Sequence, residues 1–128
     1  MRRFEDVAVG DELPPLLKEA VSRVQLARYA GASGDFNPIH LDEPYAQAAG
    51  MGGVIAHGML SMGLLGQIVT RWAGPASVVR IEARFKSVVR SGDVLTVRAT
   101  VGEKNDADRT VRLRLRCGLR GDRRLQPA

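Results

Sequence analysis

The pattern of hydrophobic and polar residues divides the chain into a helical block and a strand block that meet near Pro75. Between Gly58 and Ala73, apolar side chains occupy nearly every side of a helical period, which predicts a long helix surrounded by protein. Beyond Pro75, apolar and charged residues alternate over 79–86, 94–101 and 111–119. This alternation predicts three antiparallel strands joined by turns rich in Gly, Asn and Asp.

The first part of the chain predicts a strand and two shorter helices. A strand is expected within Leu13–Val21, after a turn at Gly10-Asp11. Ser22 can cap a helix that ends at Gly31 to Gly34, and Asp42 can cap a short helix that runs to Ala49. Together these elements predict one α+β domain over residues 1–128, in which the long helix packs against a curved antiparallel sheet.

Length and cysteine content limit the number of domains, the kinds of cross-link and the expected compartment. A chain of 128 residues is large enough for one core but small for an enclosed active site, so a second copy is expected to help. The single cysteine, Cys117, excludes an internal disulfide and a structural zinc site of several cysteines, and its strand position predicts a small core residue rather than a nucleophile. The charged start, Met1 to Asp6, resembles no export signal, which predicts a cytoplasmic protein.

The distribution of charge bears on two further classes of protein, those that span a membrane and those that bind polyanions. The run from Ala46 to Thr70 carries no Lys, Arg, Asp or Glu, but six glycines and a histidine interrupt it, so we expect no membrane span. The formal net charge of +5 favours polyanionic partners: nucleic acid, an acidic carrier protein or the phosphates of a coenzyme. Nucleic-acid binding is disfavoured because stacking aromatic residues are few. The arginines that alternate at strand period predict a solvated sheet face, namely Arg98, Arg112, Arg114 and Arg116.

The chemistry concentrates in the segment Asp35-Phe36-Asn37-Pro38-Ile39-His40. A carboxylate, an amide and an imidazole fall within six residues around a proline that restricts the backbone, so all three can reach one pocket. Asn37 has an alternative role as the start of an Asx turn before Pro38. Farther along the chain, Gly58 opens the long helix, where backbone N–H groups suit a negative oxygen.

These residues resemble the MaoC-like dehydratase and (R)-specific enoyl-thioester hydratase family. The resemblance rests on the Asp-x-Asn-Pro-x-His core within Tyr29–Gly66 and on the Ala56-His57-Gly58-Met59 that follows. It implies the hotdog fold, a long central helix wrapped by a curved antiparallel sheet. The short length and the sequence Ala56–Gly63 look most like the catalytic subunit of actinobacterial-type 3-hydroxyacyl-carrier dehydratases.

By position, the resemblance implies that Asp35 and His40 are the catalytic pair, that Asn37 supports them and that the Gly58 amide holds a thioester oxygen. The implied reaction interconverts a trans-2-enoyl thioester and an (R)-3-hydroxyacyl thioester, with CoA or a carrier protein as the carrier, and it requires no cofactor or metal. The first proton is not assigned to either member of the pair, because interacting groups titrate together. We expect His57 to be structural, packing or hydrogen bonding near the start of the helix.

Three alternatives remain beside this prediction: a catalytically silent hotdog subunit, a hotdog acyl thioesterase and a nucleic-acid-binding domain. The first should lack the Asp35 and His40 pair, and the second would not require its spacing. Two departures from the family pattern stand out: residues 86–90 lack a proline that is common in relatives, and the chain ends where a last strand would usually continue. The expected assembly is a homodimer, with a heterodimer of related subunits as the alternative.

Overall fold

Three antiparallel strands form one sheet, in the order β1-β2-β3, and the longest helix contacts the second and third strands. The computed structural model describes residues 2–123. The strands are β1 (Leu16–Ala20), β2 (Val94–Asn105) and β3 (Thr110–Leu119), and the α-helices are α1 (Arg23–Ser33), α2 (Glu43–Ala48) and α3 (Gly58–Ala73). Short 3-10 helices lie at Phe4–Asp6, Pro38–His40 and Pro75–Ser77. The α+β architecture predicted from the sequence is confirmed.

Strand β2 is the centre of the sheet and carries much of its buried surface. It pairs with β1 through Leu16 opposite Val97, and with β3 from Leu95 opposite Leu119 to Asn105 opposite Thr110. Four alternate residues of β2 are at most 3% exposed: Leu95, Val97, Ala99 and Val101. A strand with neighbours on both sides and a helix on one face buries one set of alternate side chains almost completely.

The predicted arginine face is confirmed on strand β3, whereas Arg98, on β2, is partly buried. Arg112, Arg114 and Arg116 are exposed, whereas the residues between them pack against the core: Val111, Leu113, Leu115 and Cys117. The two-residue period of a strand produces this division, because successive side chains point to opposite faces.

The helix boundaries follow the capping residues predicted from the sequence. Ser22 Oγ accepts a hydrogen bond from the Gln25 N–H at 3.0 Å, and Asp42 Oδ1 accepts one from the Tyr45 N–H at 3.1 Å. Helix α1 ends at Gly34, whose φ of 78° is a conformation that favours glycine. That left-handed turn directs the chain out of α1 immediately before Asp35.

The strand predicted over 79–86 is wrong. Within the described part of the chain this segment has no regular secondary structure, and its apolar residues include Val79, which is 87% exposed, and Phe85, which is 56% exposed. Alternation prepares one face for burial, but a strand also requires a neighbouring backbone with free N–H and C=O groups. The alternating pattern therefore predicted a strand at a place where the described residues provide no neighbouring strand.

Helix α3 has the predicted boundaries, but the prediction that protein surrounds it is only partly correct. Leu64 and Ile68 are its buried residues, and Met59 at its start is 56% exposed. A sheet of three strands covers one side of a 16-residue helix and leaves the other sides partly open.

The expected shortening of a last strand at 125–128 lies outside the described residues. In residues 2–123, no helix combines the length and apolar character needed to cross a membrane.

Leu26 and Val24, both on α1, provide a matched test of the core. Leu26 is 0% exposed and Val24 is 62% exposed. Leu26→Ala removes buried methyl groups and leaves a cavity, so we expect a loss of about 2–5 kcal/mol of unfolding free energy. Val24→Ala should change it by less than about 0.5 kcal/mol. Urea denaturation of both variants checks this, and equal losses would place the core elsewhere.

Candidate active site

Asp35 is held by the turn that leaves α1. Its backbone N–H donates to Ser33 Oγ at 3.2 Å, and its Oδ1 accepts a hydrogen bond from the Asn37 N–H, also at 3.2 Å. The side chain is 52% exposed. The first bond holds the backbone and the second orients the carboxylate, whose other oxygen, Oδ2, lies toward His40.

Asn37 shapes the turn between the two predicted catalytic residues. Its Oδ1 accepts a hydrogen bond from the Ile39 N–H at 3.2 Å, and Pro38 occupies the first turn of the 3-10 helix that follows. A capping amide followed by proline is a strong local signal for the start of a helical turn. The predicted Asx role of Asn37 is confirmed, and its support of the chemistry stays a prediction.

His40 is buried and fixed in one orientation. The residue is 7% exposed, and its Nδ1 lies 2.7 Å from the carbonyl oxygen of Ile55. A carbonyl oxygen only accepts, so Nδ1 carries the hydrogen and donates it. In the neutral ring, this arrangement leaves the lone pair on Nε2, which lies 3.7 Å from Asp35 Oδ2.

The spacing of Asp35 and His40 has a chemical consequence. At 3.7 Å the carboxylate and imidazole are too far apart for a direct hydrogen bond. They are close enough to contact the same small polar molecule from two sides, one as a carboxylate and one as an imidazole. That arrangement suits acid and base exchange with a single water. The structure therefore brings the predicted pair together.

His57 lies against both members of the pair. It is 2% exposed, its Nε2–H donates to the backbone carbonyl of Asp35 at 3.0 Å, and its ring stacks on His40 with centroids 3.8 Å apart. The ring of Tyr29 is tilted against that of His57, with the two ring centroids 4.7 Å apart. The other nitrogen, Nδ1, has no hydrogen-bond partner among the residues that the structure describes. An unpaired buried acceptor costs about 1–3 kcal/mol. The predicted packing and bonding role is confirmed.

Gly58 begins α3 beside His57, where the first-turn N–H groups of a helix have no partner within the helix. Carbon atoms of the Phe85 ring lie 3.4 Å from the position that a Cβ would take at Gly58. A Cβ there would be in van der Waals contact with Phe85, and a longer side chain would meet the ring. The structure places a glycine amide at a positive helix end, next to the histidine pair.

A cavity of about 1770 Å³ extends from this point along α3. Its lining includes His40, His57 and Gly58, then the α3 residues Met62, Leu65 and Val69, with β3 and residues 78–88 on the other sides. Asp35 is outside the lining that the described residues form. The cavity can hold an extended apolar group whose reacting end lies at His40 and Gly58.

Ligand atoms of Asp35, His40 and His57 lie within 4.8 Å of one another, a spacing at which three residues can hold one metal ion. The ring planes of the two histidines are only 23° from parallel. A metal between stacked rings would lie out of both planes, whereas imidazole nitrogens bind metals along lone pairs within the plane. The arrangement therefore fits acid and base chemistry better than metal coordination.

Sequence reasoning missed Glu43, which secures the loop before the site. Its Oε2 accepts hydrogen bonds from the Val54 N–H at 3.1 Å and from Arg23 Nη2 at 2.6 Å. A Cβ at Gly53 would lie 2.7 Å from Glu43 Oε1, so the glycine permits this approach. The Val54 amide bond is the main cause that lowers the pKa of Glu43, with Arg23 adding to it. The only local signal was a carboxylate in the first turn of α2.

Cys117 belongs to the sheet rather than to the chemistry. Its side chain packs against the core from β3, and burial raises the pKa of its thiol. A higher pKa reduces the thiolate fraction, and the thiolate is the nucleophilic form. The prediction of a small core residue is confirmed.

Comparison with protein families identifies one match. Residues 7–119 match the family described as MaoC like domain. A 3-hydroxybutyryl-CoA dehydratase of Methylorubrum extorquens is 36% identical over 91% of this chain and 74% of its own length. An (R)-specific enoyl-CoA hydratase of Rhodospirillum rubrum is 36% identical over 92% of this chain and 82% of its own length.

Solved structures agree with the sequence relatives. An (R)-hydratase from A. caviae involved in PHA biosynthesis has a TM-score of 0.81 and 28% identity, covering 91% of this chain and 89% of that chain. A MaoC-like dehydratase has a TM-score of 0.86 and 37% identity over 94% of this chain, which spans 38% of that longer protein.

Glu43→Gln tests whether the Glu43 carboxylate, by bonding the Val54 N–H, stabilises the fold in a pH-dependent way. A folded-state pKa below the ordinary value of 4.5 means that the charged form stabilises the fold above that value. This contribution is lost as pH falls through the folded pKa. We therefore expect the urea midpoint of Glu43→Gln to lie below that of the native chain near neutral pH, with the difference shrinking in acid. Glu19→Gln, an exposed residue of β1, is the control and should show no such pH-dependent difference.

Proposed function

This chain belongs to the MaoC-like domain family, and on that premise we propose that it interconverts trans-2-enoyl thioesters and (R)-3-hydroxyacyl thioesters by adding and removing water. The family relationship gives it the hotdog type of α+β fold, with a long helix against an antiparallel sheet. The observation that carries the proposal is the pair formed by Asp35 Oδ2 and His40 Nε2, 3.7 Å apart, with the other nitrogen of the His40 ring bonded to the Ile55 carbonyl.

Hydration needs a group that polarises the thioester carbonyl. The Gly58 N–H at the start of α3 is the proposed donor, because a helix amino end carries partial positive charge. As water adds to the double bond, negative charge moves to the thioester oxygen and produces an enolate-like state. A donor aimed at that oxygen stabilises the transition state more than the ground state.

Asp35 and His40 would manage the protons. One of them removes a proton from water while the water oxygen bonds to C3, and a proton from the pair then bonds to C2. Because both groups would contact the same water, oxygen and hydrogen add to one face of the substrate. Dehydration reverses these steps: the proton leaves C2, the C3–O bond breaks, and the released hydroxyl takes a proton to become water.

The acyl chain is proposed to lie in the cavity along α3, where Met62, Leu65 and Val69 provide an apolar wall. The carrier, either CoA or an acyl carrier protein, presents negative phosphate or carboxylate groups. Exposed arginines on β3, with Arg84 in the segment over 79–86, supply the opposite charge for either carrier. The single cysteine supports the cytoplasm as the proposed compartment.

A silent subunit that only shapes an acyl tunnel is the main alternative within the same fold. Such a subunit has no use for a buried imidazole locked by Ile55 and facing a carboxylate. The same geometry favours the catalytic partner if this chain corresponds to an actinobacterial-type carrier dehydratase. Loss of crotonyl-CoA absorbance with purified protein, followed by chiral analysis of the product, tests the activity directly.

Asp35→Asn and His40→Gln should each lower turnover by at least about a hundredfold, as loss of a positioned acid or base typically does. The double variant should be little worse than either single one, because both groups act on one water. Steady-state kinetics with crotonyl-CoA measure this. Circular dichroism and melting temperature should show that the variants remain folded. Independent, multiplying losses would contradict the shared-water mechanism.

The exposed apolar side chains near the pair support a dimer as the working unit. Phe36 is 62% exposed, Leu41 39% and Met59 56%, and the side chain of Asp35 is 52% exposed. Covering these residues would exclude water from the developing charge and remove apolar surface from solvent. We propose a homodimer whose subunit boundary adjoins the site, with a related but different subunit as the alternative partner.

Light scattering with a series of acyl chain lengths distinguishes these assemblies. We expect a dimer that hydrates enoyl substrates, and we expect Met59→Lys to shift it toward monomer and lower turnover, because burying an unpaired charge at an interface is costly. Val9→Lys, at another highly exposed apolar site that lies outside the cavity lining, is the control. A fully active monomer would contradict the proposal. A homodimer active only on short chains would point to the missing related subunit.

A further inference from the structure

We propose that His57 is a positioning residue that sets the relative placement of Asp35, His40 and the Gly58 amide. This inference rests on the proposed hydratase function and assigns His57 no proton transfer. His57 contacts both members of the pair and is the residue that precedes Gly58 in the chain. The buried His57 ring therefore contacts Asp35 and His40 directly, and its backbone leads into Gly58.

The first contact acts through the backbone of Asp35. His57 Nε2 donates to the Asp35 carbonyl oxygen at 3.0 Å. The Asp35 side chain is half exposed and belongs to a turn held by short-range hydrogen bonds. The His57 bond ties this turn to the start of α3, 22 residues farther along the chain. Without it, the distance between the carboxylate and His40 would depend on the turn alone.

The second contact acts on the ring of His40. The two rings overlap with centroids 3.8 Å apart and planes 23° from parallel. One bond, to the Ile55 carbonyl, fixes Nδ1 of His40. A ring held at one nitrogen can still tilt about that bond, and the flat face of His57 limits this motion. Tyr29 from α1 contacts the His57 ring at 4.7 Å and supports it in turn.

These two contacts explain why the position holds histidine. An amide side chain could donate to the Asp35 carbonyl but has no ring to stack, and phenylalanine has the ring but no donor. The second ring nitrogen, Nδ1, has no partner among the described residues, so a second hydrogen bond does not account for the choice. The combination of a donor at Nε2 and a flat face does.

Three substitutions separate the two contacts. His57→Gln keeps an N–H donor of similar reach and removes the ring, whereas His57→Phe keeps a ring and removes the donor. His57→Leu removes both. Ile68→Val is the control: it trims a buried residue of α3 that lies outside the cavity lining. It should lower the melting temperature without changing turnover.

We expect kcat to fall about tenfold in His57→Gln and in His57→Phe, and about a hundredfold in His57→Leu, with KM changed less than about threefold. The partial activity of the two conservative variants relative to His57→Leu would identify a positioning role, since a residue that only fills the core would follow melting temperature. Unchanged kcat in folded variants, or a loss confined to KM, would overturn the proposal.

NMR of isotope-labelled histidine rings provides a readout independent of activity. The chain contains two histidines, so each His57 variant leaves His40 as the single signal. In His57→Phe we expect sharp His40 signals from the tautomer with its hydrogen on Nδ1, and in His57→Gln the same tautomer with signals broadened by motion of the ring. Sharp, identical His40 signals in all variants would overturn the role of the stack. If the native chain hydrates no enoyl thioester, the proposed function fails, while the NMR comparison still decides whether His57 orders His40.

Discussion

The hydrogen bond from His40 Nδ1 to the carbonyl of Ile55 is the constraint on which the site depends. It joins two segments that are 15 residues apart, and the reverse bond from the Ile55 N–H to the Ile39 carbonyl, at 3.1 Å, strengthens the connection. The Ala56 N–H then donates to the Val89 carbonyl at 2.7 Å. The catalytic turn, the start of α3 and the segment before β2 are thus connected through a few backbone groups.

This connection decides the chemical state of the imidazole in its neutral form. Because a carbonyl accepts the Nδ1 hydrogen, the nitrogen that faces Asp35 is the one with a lone pair. A histidine held only by packing could present either nitrogen. The loop that supplies the carbonyl depends in turn on Glu43, whose carboxylate holds the Val54 amide. A carboxylate outside the cavity thereby supports the orientation of a ring within it.

The open side of α3 and the segment over 79–86 that joins no strand lie at the same cavity. Three strands cover one side of the helix, so the cavity forms where α3, β3 and the segment over 79–86 face one another. An enclosed core would leave no volume for an acyl chain. The same openness leaves Phe85 and Met59 exposed, which agrees with a site that another subunit completes.

The sequence by itself determined the features that depend on neighbouring residues. The limits of α3, the caps at Ser22 and Asp42, and the turn that places Asp35 near His40 follow from glycine, proline and short polar side chains acting within a few positions. Only the tertiary structure decided the bond from His57 to Asp35, the stack of the two imidazoles, the Glu43 clamp and the absence of a ladder over 79–86 within the described residues. Each of these depends on which distant segments become neighbours, and periodicity carries no information about the partner that an exposed backbone or a buried ring will meet.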